Sequence, residues 1–73
     1  MGRLIRLDRS GHSTLAEWTR GDEAAEAKAV AAFEAEQERG MIGSASRDRA
    51  AEVVRELPLD ADLVVMRRQI AGG

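Results

Sequence analysis

Apolar and polar positions alternate at the start of the chain as they do in half-buried β-strands. Residues 3–8 read RLIRLD, and residues 13–18 read STLAEW. Both runs fit the two-residue period of a strand. The segment between them contains Ser10-Gly11, a dipeptide that favours tight turns because glycine tolerates a positive φ. The pattern therefore predicts a β-hairpin.

The second of these strands contains an irregularity in its hydrophobic pattern. Leu15 and Trp18 are an odd number of positions apart, so a regular strand would place them on opposite faces. A β-bulge near Ala16 would let both face inward. We expect Trp18 to pack in or at the rim of the core, whereas an exposed tryptophan would mark an interaction site.

A helix is the clearest element of the chain. Asp22 can cap its start, and the following residues, through Arg39, are rich in alanine and glutamate. Gly40 follows as a C-terminal glycine in the left-handed region. Val30 and Phe33 are the only large apolar residues of the helix, so we expect a thin buried face.

Further strands are predicted after the helix. Residues 41–46 and 52–57 read as strands, although Ser46 could instead cap a short helix. Pro58 ends the second of them, because proline cannot donate to a sheet ladder. Residues 62–70, DLVVMRRQI, are continuously apolar in their first half, as an interior strand is.

The predicted fold class is α+β, with the element order strand, strand, helix, strand, strand, strand. One helix packs on a small mixed sheet. The first and last strands are the most apolar, so they form the expected central pair, and as neighbours they would run parallel. We expect residues 1–70 to form one domain and residues 71–73 to be a flexible tail.

Composition narrows the classes of function. The 73 residues include no cysteine, carry a net charge of −2 and contain two aromatic side chains. A nucleic-acid binder usually shows a basic face and stacking aromatics, so nucleic acid is not an expected partner. No long apolar run suggests a signal peptide or a membrane helix. We therefore expect a cytoplasmic protein.

Catalytic and metal-binding residues are not apparent. His12 is the only histidine, and a metal site needs three or four ligands. The turn-associated aspartates fit helix caps and Asx turns better than acid–base catalysis; they are Asp8, Asp22, Asp60 and Asp62. No nucleophile–base pair or phosphate loop is visible. We expect neither enzymatic activity nor a cofactor.

The chain ends in DADLVVMRRQIAGG, and this segment carries a resemblance. An acidic turn, an apolar strand and a terminal Gly-Gly are similar to the end of the thiamine and molybdopterin sulfur-carrier proteins. Basic residues before the diglycine, here Arg67 and Arg68, are similar to those of ubiquitin's tail. Together with the element order, the segment resembles the ubiquitin-like β-grasp family.

The resemblance implies a function located at the C-terminus. In that family a partner adenylating enzyme activates the terminal carboxylate, which here belongs to Gly73, and Gly72 precedes it in the active-site channel. The chain would then be a protein modifier or a sulfur carrier, with a tail-trimming protease as a further partner. The implied partner-binding residues are Arg67, Arg68, Ile70 and Ala71.

Other functions remain open at this stage. The same fold could serve as a non-conjugated interaction or structural module, such as an adaptor or a subunit of a phage-derived assembly. A helix-on-sheet regulator unrelated to ubiquitin is another possibility. For Arg67 and Arg68, the alternatives are ordinary surface charges and docking contacts for an acidic partner. Because they are adjacent on a strand, at least one of them should face solvent.

Overall fold

The computed structural model describes residues 1–47 and 50–68, with all side chains except those of Arg47 and Ala50. Its elements are β1 (Gly2–Asp8), β2 (Gly11–Trp18), α1 (Glu23–Glu38), β3 (Met41–Arg47), β4 (Ala50–Val54) and β5 (Leu63–Arg68). In these residues the strands form one mixed sheet in the order β2-β1-β5-β3-β4. The predicted α+β class and element order are confirmed, and β1 and β5 are indeed parallel neighbours.

The predicted β-bulge is present in the β1–β2 hairpin. Leu4 faces Ala16 across the ladder, but Ile5 faces Thr14, so Leu15 is the extra residue of β2. Trp18 is 1% exposed, and Leu15 packs against the edge of the same core. The bulge therefore lets both large side chains contact one core, as the pattern required.

Helix α1 begins and ends at the predicted signals. The Asp22 carboxylate accepts a hydrogen bond from the Ala25 backbone N–H at 3.2 Å, as an N-cap does. At the other end, Gly40 has φ 87°, the left-handed conformation expected after a helix.

The buried face of α1 is thin, as expected. Ala29, Phe33 and Glu36 are buried at helical spacing, Val30 is half-buried, and Ala27 is exposed. Alanines occupy every side of this helix, so the sequence leaves the position of the stripe poorly defined.

The core lies between α1 and one face of the sheet. Its largest fully buried side chains are Trp18, Phe33, Leu4, Met66 and Val64. Gly43 of β3 lies directly under the Phe33 ring, where a Cβ would overlap the aromatic carbons. The absence of a side chain at Gly43 is what lets the helix lie close to the sheet.

The segment between β4 and β5 corrects the predicted bounds. The sequence suggested a strand over 52–57, but β4 ends at Val54. Leu57 is nevertheless buried, because the following loop folds back over the core. The loop is fixed by the Trp18 indole, which donates a hydrogen bond to the Leu59 carbonyl at 2.9 Å. An apolar residue on such a loop has the same sequence signature as a strand residue.

The last strand begins one residue away from its predicted start, and its predicted end is not among the described residues. β5 begins at Leu63, one residue later than predicted, and is described as far as Arg68. The predicted strand residues 69 and 70 lie outside the described part of the chain. The alternative of a short helix capped by Ser46 is wrong, because Ser46 belongs to β3.

Candidate functional site

The predicted site begins where β5 ends. Val64 and Met66 of this strand are completely buried, whereas Arg67 and Arg68 are exposed. The sequence predicted that at least one of these two arginines is exposed, and in the structure both are exposed. Arg68 faces Met41, the first residue of β3 after the helix.

The remaining predicted site residues follow Arg68 in the chain. Ile70, Ala71, Gly72 and Gly73 lie outside the described residues. The structure thus defines the strand that leads to them and leaves their predicted roles untested.

Strand β5 is held on both sides. Residues Leu63–Met66 pair in parallel with Arg3–Arg6 of β1, and Val64–Arg68 pair antiparallel with β3. Ladders on both edges fix the backbone of a strand more firmly than one ladder does. At Arg67 and Arg68 only the β3 ladder continues, so the segment that follows Arg68 starts from a central strand that is paired there on one side.

A buried ion pair lies beside this position. Glu36 of α1 is 5% exposed, and both of its carboxylate oxygens are 3.4 Å from Nη1 of Arg6 on β1. Arg39 Nη1 lies 3.9 Å from the same carboxylate. The Arg6 Nε is buried without a hydrogen-bond partner among the described residues, 3.8 Å from an Asp8 carboxylate oxygen. These contacts attach the end of α1 to β1.

Sequence reasoning missed Glu36 because it assigned the charged side of α1 to solvent. Its spacing from Ala29 and Phe33 is the signal that could have found it, since positions i, i+4 and i+7 share one helix face. A glutamate on that face needs a cationic partner when buried.

The hairpin at this end is closed by side-chain hydrogen bonds. The Asp8 carboxylate accepts hydrogen bonds from the Ser10 hydroxyl at 2.6 Å and from the Ser10 backbone N–H at 2.9 Å. These bonds favour the ionised form and lower the pKa of Asp8 below its ordinary value. The predicted turn role of Asp8 and cap role of Asp22 are confirmed. His12, just after the turn, is exposed.

Two shallow clefts of about 280 and 380 Å³ lie away from the end of β5, one beside the N-terminus and one between β2 and the start of α1. Within residues 1–47 and 50–68, no three His, Cys, Asp or Glu side chains are grouped closely enough to hold a metal ion. The end of β5 is a surface that another molecule could contact.

The sheet face opposite α1 is a second candidate surface. A row crosses it through Thr14, Ile5, Val65, Ser44 and Val53, each paired with the next. No described element covers this row, and Val53 is 61% exposed. We call this surface the open face. The sequence could not reveal it, because an alternating pattern does not say which face a helix covers.

Comparison of the chain with protein-family models, with curated proteins and with solved structures gave no match. In the part of the chain that the structure describes, no helix has the length and apolar character needed to cross a membrane.

Proposed function

We propose that this chain is a ubiquitin-like β-grasp protein whose Gly73 carboxylate is activated by a partner adenylating enzyme. It would act as a protein modifier or as a sulfur carrier. One observation carries the proposal: a central strand, paired on both sides as far as Met66, reaches exposed residues at Arg67 and Arg68 and continues in sequence as QIAGG. The parallel pairing of the first and last strands, with the helix in the connection between them, supports the β-grasp assignment.

The proposed chemistry uses only one reactive group of this protein, the carboxylate of Gly73. A Gly73 carboxylate oxygen attacks the α-phosphorus of ATP, which forms an acyl-adenylate and releases pyrophosphate. An amine nitrogen or a hydrosulfide then displaces AMP, with loss of a proton, and gives an amide or a thiocarboxylate. The partner enzyme supplies the catalytic groups.

The residue types of the final segment suit this chemistry. Glycines at 72 and 73 place no Cβ in a narrow channel and allow backbone conformations closed to other residues. Arg67 and Arg68 are exposed where the segment begins, so they can contact a partner while the segment enters its active site. The proposal requires that Gly73 carry the free carboxylate in the mature protein, whether directly or after trimming by a protease.

Mass spectrometry of the protein from its own cells tests the proposal. The protein carries an N-terminal tag, and a matched variant lacks Gly72 and Gly73. Trypsin cuts after Arg68, so a conjugate leaves QIAGG on a target lysine, whereas a carrier shows sulfur in place of oxygen on the same peptide. Either product, absent from the variant, supports the proposal. Only the free acid in both proteins contradicts it.

The open face favours a second candidate function, a non-conjugated interaction or structural module. Leu7 and Val53 are 50% and 61% exposed on this face, and exposed apolar patches commonly mark contact sites. Such a module would lose its partners on Val53→Glu and keep them when Gly72 and Gly73 are removed. A modifier or carrier gives its products only when the diglycine is present.

A further inference from the structure

The topology gathers arginines from four separate segments at the end of the molecule where β5 finishes. β1 and β5 are parallel, so their C-terminal ends lie at the same end of the sheet. The hairpin tip with Arg9 therefore lies near Arg67 and Arg68. We call the exposed arginines of this end the tail-end rim; they are Arg9, Arg39, Arg55, Arg67 and Arg68.

Strand pairing places the other two members of the rim. Met41 faces Arg68 across the β3–β5 ladder, and Arg39 precedes Met41 by two residues. β4 runs antiparallel to β3 and so ends at the same end of the sheet, where Val54 faces Gly43. Arg55 is the next residue. The rim therefore surrounds the point from which the QIAGG segment departs.

The nearest carboxylates at this end are already engaged. Asp8 accepts two hydrogen bonds from Ser10, and Glu36 is held by Arg6. Arg39 reaches the same Glu36 at 3.9 Å. Among the described residues, the other four rim arginines form no ion pair within 4.0 Å. Their positive charge is thus available to an outside partner, although Glu38 and Glu56 are acidic neighbours along the chain.

Charge is distributed differently at the opposite end. Two arginines are exposed at that end: Arg3 is paired with Glu17 at 3.3 Å, and Arg20 follows β2. Further acidic residues cluster around the start of α1 and before β5; they are Asp22, Glu23, Glu26, Asp60 and Asp62. In a chain of net charge −2, this asymmetry makes the tail end the one that an acidic surface attracts.

We propose that the tail-end rim docks on an acidic surface of the activating partner protein, and that Arg9, Arg39 and Arg55 are recognition residues besides Arg67 and Arg68. This inference rests on the proposed function and adds the surface through which the partner is chosen. A protein fits better than a single-stranded nucleic acid, because Trp18 and Phe33 are each 1% exposed and cannot stack on bases.

Exchange of labelled pyrophosphate into ATP, in an extract of the native cells, measures activation directly. The test variant is Arg9→Glu/Arg55→Glu, which leaves the final segment unchanged. The control is Arg20→Glu, because Arg20 is exposed at the opposite end and has no ion pair in the described residues. At subsaturating protein we expect the double variant to lower the exchange rate about tenfold or more, with less loss at high salt. The control should stay within about twofold of the original.

The outcomes separate the two proposals. If the protein stimulates no exchange, or if exchange survives removal of Gly72 and Gly73, the proposed function is wrong and this inference falls with it. If exchange requires the diglycine but the double variant matches the Arg20→Glu control, the rim inference alone is wrong. A labelled single-stranded oligothymidine is the second probe. Binding that the double variant loses, while its exchange stays normal, would assign the rim to nucleic acid and overturn the inference.

Discussion

The two ends of the β1–β5 pair are built from different interactions. At the end where β1 begins, which we call the sealed end, Gly2 lies against the buried Trp18 ring, whose indole donates a hydrogen bond to the Leu59 carbonyl. The Arg3 backbone N–H also donates to the Asp62 carbonyl at 3.0 Å. At the tail end, β5 reaches the exposed Arg67 and Arg68, Arg9 is exposed in the turn after β1, and the Asp8 and Glu36 carboxylates contact other side chains. The buried indole lies at one end of the pair, and exposed arginines lie at the other.

The difference indicates that, in a small chain, the residues that stabilise the fold can be different from those that contact a partner. A domain of this size buries little apolar surface, so each large core side chain carries a large share of its stability. Exposed charges contribute little to stability but direct a partner's approach. Substitutions at the sealed end should therefore unfold the protein, and those at the tail end should alter its contacts.

Trp18→Ala should have the largest effect. Removing a fully buried tryptophan costs about 3–5 kcal/mol of unfolding free energy, and the Leu59 carbonyl loses its donor. Urea denaturation followed by circular dichroism measures the loss. Arg68→Ala at the tail end is the control and should change stability by no more than about 0.5 kcal/mol. Equal losses in the two variants would remove the distinction between the ends.

Gly2→Ala tests how closely Gly2 packs against the Trp18 indole at the sealed end. An added Cβ would overlap Cε2, Cζ2 and Nε1 of Trp18, and overpacking of this kind costs about 1–3 kcal/mol. Phenylalanine lacks the fused benzene ring that carries Cζ2, so its smaller ring fills less of this space. In a Trp18→Phe background, Gly2→Ala should therefore cost less. A double-mutant cycle of urea midpoints checks this, and an unchanged cost would mean that the indole is not the obstacle.

Glu36→Gln tests whether the tail end makes its own, smaller contribution to the free energy of unfolding. The neutral amide weakens a buried contact with the Arg6 guanidinium, for an expected cost of about 1–2 kcal/mol. Glu34→Gln, at an exposed position of the same helix, should cost no more than about 0.5 kcal/mol. If both variants have the same thermal stability, the ion pair does not hold α1 to β1.

The smallest effect concerns the pH response of the hairpin. Hydrogen bonds from Ser10 depress the pKa of Asp8 below 3.8, so their stabilising contribution is present above that pH. It is lost as the pH falls through the folded-state pKa. Ser10→Ala should raise the Asp8 pKa toward 3.8 in an NMR titration. Ser13→Ala, on the neighbouring strand, should leave it unchanged, and a shift of equal size in both variants would contradict the assignment.

Local signals in the sequence were sufficient for most of the fold. Alternation predicted the hairpin, the Leu15–Trp18 spacing predicted the bulge, and Asp22 and Gly40 marked the helix. These features depend on neighbours in the chain. The end of β4 was missed because Leu57 is buried by a loop that crosses the core, which is a tertiary effect.

The candidate site was less accessible to sequence reasoning. Arg67 and Arg68 were identified because they precede the diglycine. Arg9, Arg39 and Arg55 come from separate segments, and only the strand order brings them to the same end. No local sequence pattern distinguishes these three arginines from other surface arginines such as Arg20.

Chemical trapping of the activated C-terminus tests the central claim most directly. The purified protein is incubated with an extract of its native cells, ATP and hydroxylamine, which attacks an acyl-adenylate and leaves a hydroxamate. The account predicts that the tryptic peptide QIAGG carries this hydroxamate on Gly73 when ATP is present and the free acid when ATP is omitted. If QIAGG remains the free acid with ATP, while a known adenylated substrate added to the same extract is trapped, the carboxylate of Gly73 is not activated and the account is wrong.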